Sequence, residues 1–187
     1  LAQRLKMFRT HGIDPDRRLN QADTDGPWFY EMTELGFNYR LTDIGSALGL
    51  SQLKRLPELV SRRREIAAEY SEQLKDVPGI VLPVENQDRF SSWHIYTIRL
   101  DTAKLNVGRR EVFEALRAEN IGVNVHYIPV HLHPYYRDKF GYARGDYPIA
   151  EDCYDRLITL PLFPDMSESD VDDLVKATKK VFENYAV

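Results

Sequence analysis

Apolar residues recur along this chain with two different periods, and the switches between them lay out its elements. Leu1, Leu5 and Phe8 share a helical face, and Gly12 is placed to stop that helix. Residues 13–34 are polar and punctuated by Pro and Gly, which predicts a long loop. Thr42 can cap a helix running to about Arg55, with Ile44, Ala47, Leu48 and Leu53 on one side. Pro57 suits the first turn of a following helix that continues through Tyr70 to about Lys75, where Pro78 and Gly79 end it. The period then changes to two: His94, Tyr96, Ile98 and Leu100 alternate with Trp93, Ile95, Thr97 and Arg99, which predicts a strand over 93–100.

Val112, Phe113, Leu116 and Ile121 mark the next helix, closing near Asn120 and Gly122. Residues 123–127 read as a second strand that runs into Pro129. Pro148 opens a short helix through Asp155, and residues 157–160 form a short apolar strand. Ser167 followed by Asp170 starts a last helix carrying Val171, Leu174, Val175 and Val181. Strands alternating with helices from about residue 78 onward indicate an α/β or α+β unit. The first forty residues lack a core of their own and must lean on a neighbour.

Composition narrows the functional classes. The 187 residues carry 25 Lys+Arg against 29 Asp+Glu, a net charge of −4. That balance argues against a sequence-independent grip on nucleic acid, which needs clustered positive charge. No apolar run approaches the roughly 20 residues that span a bilayer. One cysteine, Cys153, permits no internal disulfide and fits a reducing, cytoplasmic compartment. The opening residues read as the inside of a helix, with cations interspersed and no signal-peptide core. The expectation is a piece of a longer chain.

Three constellations carry chemistry. In the run from His126 to Tyr136, His126, His131 and His133 lie beside Tyr127, Tyr135 and Tyr136. A shared zinc ion is one reading of these histidines, but their spacing matches no zinc motif. Packed or turn-forming histidines are a second reading. A third is a wall of hydrogen-bonding rings for a polyhydroxylated or phosphorylated ligand, which explains the His/Tyr mixture better. Arg62, Arg63 and Arg64 fan round a helix rather than forming one stripe. With partners such as Glu58 nearby, they read as a solvated face. Gly36-Phe37-Asn38-Tyr39-Arg40 sets an amide and a guanidinium just before a helix start, a pairing suited to an anion.

These segments together resemble the DegT/DnrJ/EryC1/StrS family of sugar aminotransferases. The resemblance runs through Arg9-Thr10-His11-Gly12, then Gly36-Phe37-Asn38-Tyr39-Arg40-Leu41-Thr42-Asp43-Ile44, Ala47-Leu48-Gly49 and Gln52-Leu53. It continues through Arg64, Ala67 and Tyr70 to His126-Tyr127-Ile128-Pro129-Val130-His131 and Leu160-Pro161-Leu162. The run from Gly26 to Met32 and the stretch from His126 to Tyr136 look most like one subgroup, the UDP-4-amino-4,6-dideoxy-N-acetyl-β-L-altrosamine transaminases of pseudaminic acid synthesis.

The resemblance implies an α/β fold: the C-terminal portion of a fold-type-I pyridoxal phosphate (PLP) transferase. Residues 1–41 would end the large cofactor domain, 42–76 would be the linking helices, and 77–187 the small domain. It implies a homodimer in which Asn38 reaches across to the cofactor phosphate, with Arg40 near the cofactor or substrate anion. His126 and Tyr127 match the position that contacts substrate or cofactor, and His131, Tyr135 and Trp28 are further substrate-side candidates. The reaction implied passes an amine from glutamate to the C4 ketone of a nucleotide-linked deoxy-sugar. No metal is implied. The family's Schiff-base lysine lies upstream of Arg9-Thr10-His11-Gly12, and Lys6 has no matching context. These 187 residues alone are therefore expected not to transaminate, and the missing half of the protein becomes a required partner. A non-catalytic interaction or regulatory module is the alternative.

Overall fold

The structure is a computed structural model and describes residues 1–13 and 30–187. It divides into two compact units, Leu1–Arg55 and Leu56–Val187.

In the first unit, α1 spans Ala2–Phe8. Gly12 follows at φ +71°, accepting the left-handed turn that the Met7 carbonyl closes through the Gly12 N–H at 2.9 Å. The segment after α1 pairs with residues 32–39. His11 N–H donates to the Phe37 carbonyl (2.9 Å), Phe37 N–H to Phe8 (2.6 Å) and Tyr39 N–H to Arg9 (3.0 Å). Two glycines make this approach possible. A Cβ on Gly36 would lie 2.0 Å from the Gly12 nitrogen, and one on Gly12 would lie 1.7 Å from the Glu34 carbonyl oxygen. The expected long loop at 13–34 falls mostly outside the described residues. Its described ends are joined by a bridge between Ile13 and Met32.

Helix α2 runs Asp43–Leu74 without interruption, with the Thr42 hydroxyl accepting from Gly45 N–H at 3.2 Å. This corrects the expectation of two helices meeting at Pro57. The ring removes one backbone hydrogen bond but does not end the helix, a cost of about 3 kcal/mol. The second half is anchored instead by Ile66, Ala67, Tyr70 and Leu74, all buried.

The second unit is built on a three-stranded antiparallel sheet in the order β1 (Ile80–Val81), β2 (Tyr96–Leu100), β3 (Leu157–Leu160). Tyr96 faces Leu160, and the register runs to Arg99 opposite Leu157. On β2 the predicted alternation holds, with Tyr96, Ile98 and Leu100 fully buried and Thr97 and Arg99 half-buried. The strand is shorter than predicted, because Trp93 adopts φ +46°. The Trp93 and His94 carbonyls accept from the Arg63 guanidinium instead of entering a ladder. Residues 123–127 do not form a strand; only Asn124 bridges to Thr159. The Asn124 side chain takes the Val125 N–H at 2.8 Å, which diverts that donor from any ladder.

The unit also holds four further α-helices, α3 (Arg109–Ala118), α4 (Pro134–Phe140), α5 (Pro148–Arg156) and α6 (Glu168–Tyr185), and two short 3-10 turns at Thr102–Lys104 and Val130–Leu132. The capping box at α6 forms as predicted, Ser167 and Asp170 each accepting the other's N–H at 3.1 and 2.9 Å. Helix α4 was not foreseen; proline at its first position and Gly141 at φ +74° after its end delimit it. The core joins α2, the sheet, α3 and α6 through Ile66, Tyr70, Ile98, Leu116, Ile158 and Phe182. The Tyr70 hydroxyl donates to the Pro161 carbonyl at 2.9 Å, and burial pushes its pKa up.

The three consecutive arginines are neither a solvated face nor a stripe. Arg63 donates to the carbonyls of Trp93, His94 and Leu162, and Arg62 to that of Met166. Arg64 holds Glu85 and the Ser91 carbonyl. Because they point in different directions, they tie α2 to three different segments.

Candidate active-site residues

In the first unit the candidate residues sit on the pairing just described. Asn38 lies opposite Thr10 in an antiparallel bridge. The rings of Phe37 and Tyr39 stack with centroids 5.1 Å apart, so these two side chains share one face. Alternation along the segment turns Asn38 and Arg40 to the other. Both are exposed, and among the described residues neither side chain has a hydrogen-bond or ion-pair partner. An amide and a guanidinium held by a fixed backbone, with their donors unspent, fit a phosphate or carboxylate. Lys6, in the last turn of α1, is exposed.

In the second unit the His/Tyr run unfolds into residues with different fates. His126 and Tyr127 come together, their rings edge-on at 4.6 Å. His126 Nδ1 lies 3.1 Å from the Thr159 hydroxyl on β3, while Tyr127 is 73% exposed. His131 turns inward: it is buried, and its Nε2 sits 2.8 Å from Glu151 Oε1. Glu151, in the first turn of α5, also accepts from the backbone N–H of Gly145 (2.8 Å) and Tyr147 (3.3 Å). Burial pushes this carboxyl's pKa up, but the bonds from His131, Gly145 and Tyr147 outweigh it and hold the group below the usual carboxylate range.

Tyr135 is exposed on α4, and its hydroxyl accepts from Lys139 at 3.0 Å. Tyr136, Phe140, Tyr142 and Tyr147 continue a chain of ring contacts that ends on His131. Trp28 lies outside the described residues. Among the described residues, no three His, Cys, Asp or Glu side chains group as metal ligands, and His131 is committed to Glu151.

Thr159 and Glu151 were not singled out by sequence. Thr159 carried a signal, as the one polar residue in the apolar strand Leu157–Leu160. Glu151 carried a weaker one, an acid in the first turn of a Pro-initiated helix.

The chain matches the profile of the DegT/DnrJ/EryC1/StrS aminotransferase family over residues 1–179. It is 40% identical over 182 residues to the spore coat polysaccharide biosynthesis protein SpsC of Bacillus subtilis, covering 97% of this chain and 46% of that protein. Among solved structures it resembles PseC of Helicobacter pylori, an aminotransferase involved in the biosynthesis of pseudoaminic acid. There the TM-score is 0.79 at 30% identity, over 97% of this chain and 46% of that one. It also resembles the PMP form of Spr1654 from Streptococcus pneumoniae, with TM-score 0.81 and 30% identity over 96% of this chain and 44% of that one. The chain thus spans about half the length of the relatives it matches. No helix among the described residues is long and apolar enough to cross a membrane.

Proposed function

We infer the function from one premise: the chain belongs to the DegT/DnrJ/EryC1/StrS aminotransferase family. We propose that the protein containing it is a PLP-dependent aminotransferase. It would move an amine from glutamate to the C4 ketone of a nucleotide-linked deoxy-sugar, in the manner of the altrosamine transaminases. Its similarity to PseC and SpsC supports a sugar as the acceptor. Within it, residues 1–41 would close the large domain, 42–76 link, and 77–187 form the small domain of a cytoplasmic homodimer.

The observation that carries this reading is the pair of unspent donors, Asn38 and Arg40, on a backbone clamped by Gly12 and Gly36. When bound, PLP supplies the electron sink that lets an amine leave one carbon for another. This chain's part is to hold and orient. Asn38 and Arg40 donate to the cofactor phosphate or a substrate anion. His126 and Tyr127 present a ring nitrogen and a phenol to the sugar, with exposed Tyr135 as an outer contact and Trp28 as a further candidate. His131, bonded to Glu151, shapes this wall from behind.

The test uses the full-length protein. Asn38→Ala should weaken PLP binding, followed by absorbance titration, by about 10- to 100-fold, the worth of one hydrogen bond to a charged group. Arg40→Ala should do as much to PLP or to the sugar nucleotide. Unchanged affinities for both ligands would sink the assignment. A polypeptide of residues 1–187 alone is the control and should show no turnover with glutamate and a 4-keto sugar nucleotide.

A further inference from the structure

The structure assigns Thr159 a positioning role: its hydroxyl fixes the His126 ring so that Nε2 is the atom presented to the sugar substrate. The inference deepens the proposed function, since it rests on His126 being a substrate contact.

Thr159 is 4% exposed in a strand buried along its whole length, between Ile158 and Leu160. A hydroxyl in that setting is costly unless bonded, and its partner is His126 Nδ1 at 3.1 Å. The hydroxyl cannot drift, because the Thr159 backbone is held at both ends. Its N–H donates to the Asn124 carbonyl at 2.8 Å, and its carbonyl accepts from Asn124 N–H at 3.1 Å. Branching at Cβ further restricts the side chain. The same bridge places Asn124 two residues before His126, so one residue of β3 sets both the path of the loop and the pose of its ring. The Tyr127 ring packs edge-on against the imidazole and limits its rotation.

With Nδ1 taken, His126 Nε2 has no partner among the described residues, and the ring is half-buried. The direction of that bond decides what Nε2 can do. If the hydroxyl donates to Nδ1, the neutral ring carries its proton on Nε2 and donates to a sugar oxygen. If the hydroxyl accepts from Nδ1–H, Nε2 accepts from a sugar hydroxyl. The hydroxyl serves either order, so what it fixes is the orientation of the ring, with Nε2 left for the sugar.

The experiment compares Thr159→Val, which keeps the shape and removes the hydroxyl, with Thr159→Ser, which restores it, in the full-length protein. Long-range proton–nitrogen spectra of the protein labelled with 15N-histidine read the tautomer directly, with His126→Gln identifying the signals. The wild type and Thr159→Ser should show the same His126 nitrogen shifts. Thr159→Val should shift the His126 nitrogen signals, Nδ1 most, while leaving the other histidines in place. The same variant should raise KM for the sugar nucleotide by about three- to tenfold, the worth of one neutral hydrogen bond, with kcat moving less. Thr159→Ser should recover it.

Unmoved His126 signals in Thr159→Val would overturn the assignment. So would a KM change that Thr159→Ser fails to rescue. If Thr159→Val moves the signals but His126→Gln leaves KM unchanged, the ring is held as described, and the reading of His126 as a substrate contact is what fails.

Discussion

The two units of this chain use opposite means to order their residues. In Leu56–Val187 the apolar positions of α2, β2, β3, α3 and α6 converge, and Ile98, Leu116, Ile158 and Phe182 are withdrawn fully from solvent. In Leu1–Arg55 the only buried hydrophobic side chain among the described residues is Met7. Ile44 is 85% exposed there, although its spacing with Leu48 on α2 is as regular as any in the second unit. Order in the first unit comes from main-chain hydrogen bonds between two short segments that only glycines allow to approach. The lesson is that an amphipathic period predicts a helix but not its burial. Backbone pairing can order segments that, among the described residues, bury little side chain of their own.

The sharpest way to break this contrast is in the core. Phe182→Ala removes a fully buried ring from α6 and should cost about 3–5 kcal/mol in chemical denaturation. The amides of His11, Phe37 and Tyr39 should keep their hydrogen-exchange protection up to the global transition. Gly36→Ala is the mirror experiment. The added Cβ meets the backbone nitrogen of Gly12 at 2.0 Å, so main chain must shift, at about 1–3 kcal/mol. Here the three amides should exchange faster while those of β2 and β3 hold. A uniform loss of protection across both units would show that they share one cooperative fold and would erase the distinction.

What the sequence disclosed follows the same division. Features set within a few residues were legible: the alternation of Tyr96, Ile98 and Leu100 and the Ser167–Asp170 box. Features set across the chain were not. Pro57 obeys a local rule for ending helices, yet Ile66, Tyr70 and Leu74 hold α2 together past it. Residues 123–127 have a strand's alternation, but the Asn124 side chain captures the next amide. Arg62, Arg63 and Arg64 were correctly seen to fan apart, but their carbonyl partners lie 27 to 104 residues away. The His/Tyr run was visible as chemistry. Its sorting into a half-buried His126 and a buried His131 depends on Thr159 and Glu151, 33 and 20 residues distant.

The smallest predicted effect separates those two histidines from behind. Glu151→Gln keeps the side-chain volume and one acceptor oxygen, so at neutral pH the thermal midpoint should fall only slightly. The charge matters in acid. In the folded chain the Glu151 carboxyl titrates below its ordinary value of 4.5, because the bonds from His131, Gly145 and Tyr147 outweigh the opposing effect of burial. Its contribution is therefore complete above about pH 4.5. It is lost as pH falls through the folded value, where the carboxyl must take up a proton. Glutamine has no such proton to gain. Thermal midpoints measured from pH 6 downward should show the wild type ahead at the upper end and the two curves converging in acid. Parallel curves would mean that the His131–Glu151 contact contributes shape but no charge-dependent stability. The His131–Glu151 contact would then resemble the pairing in the first unit, held by geometry alone.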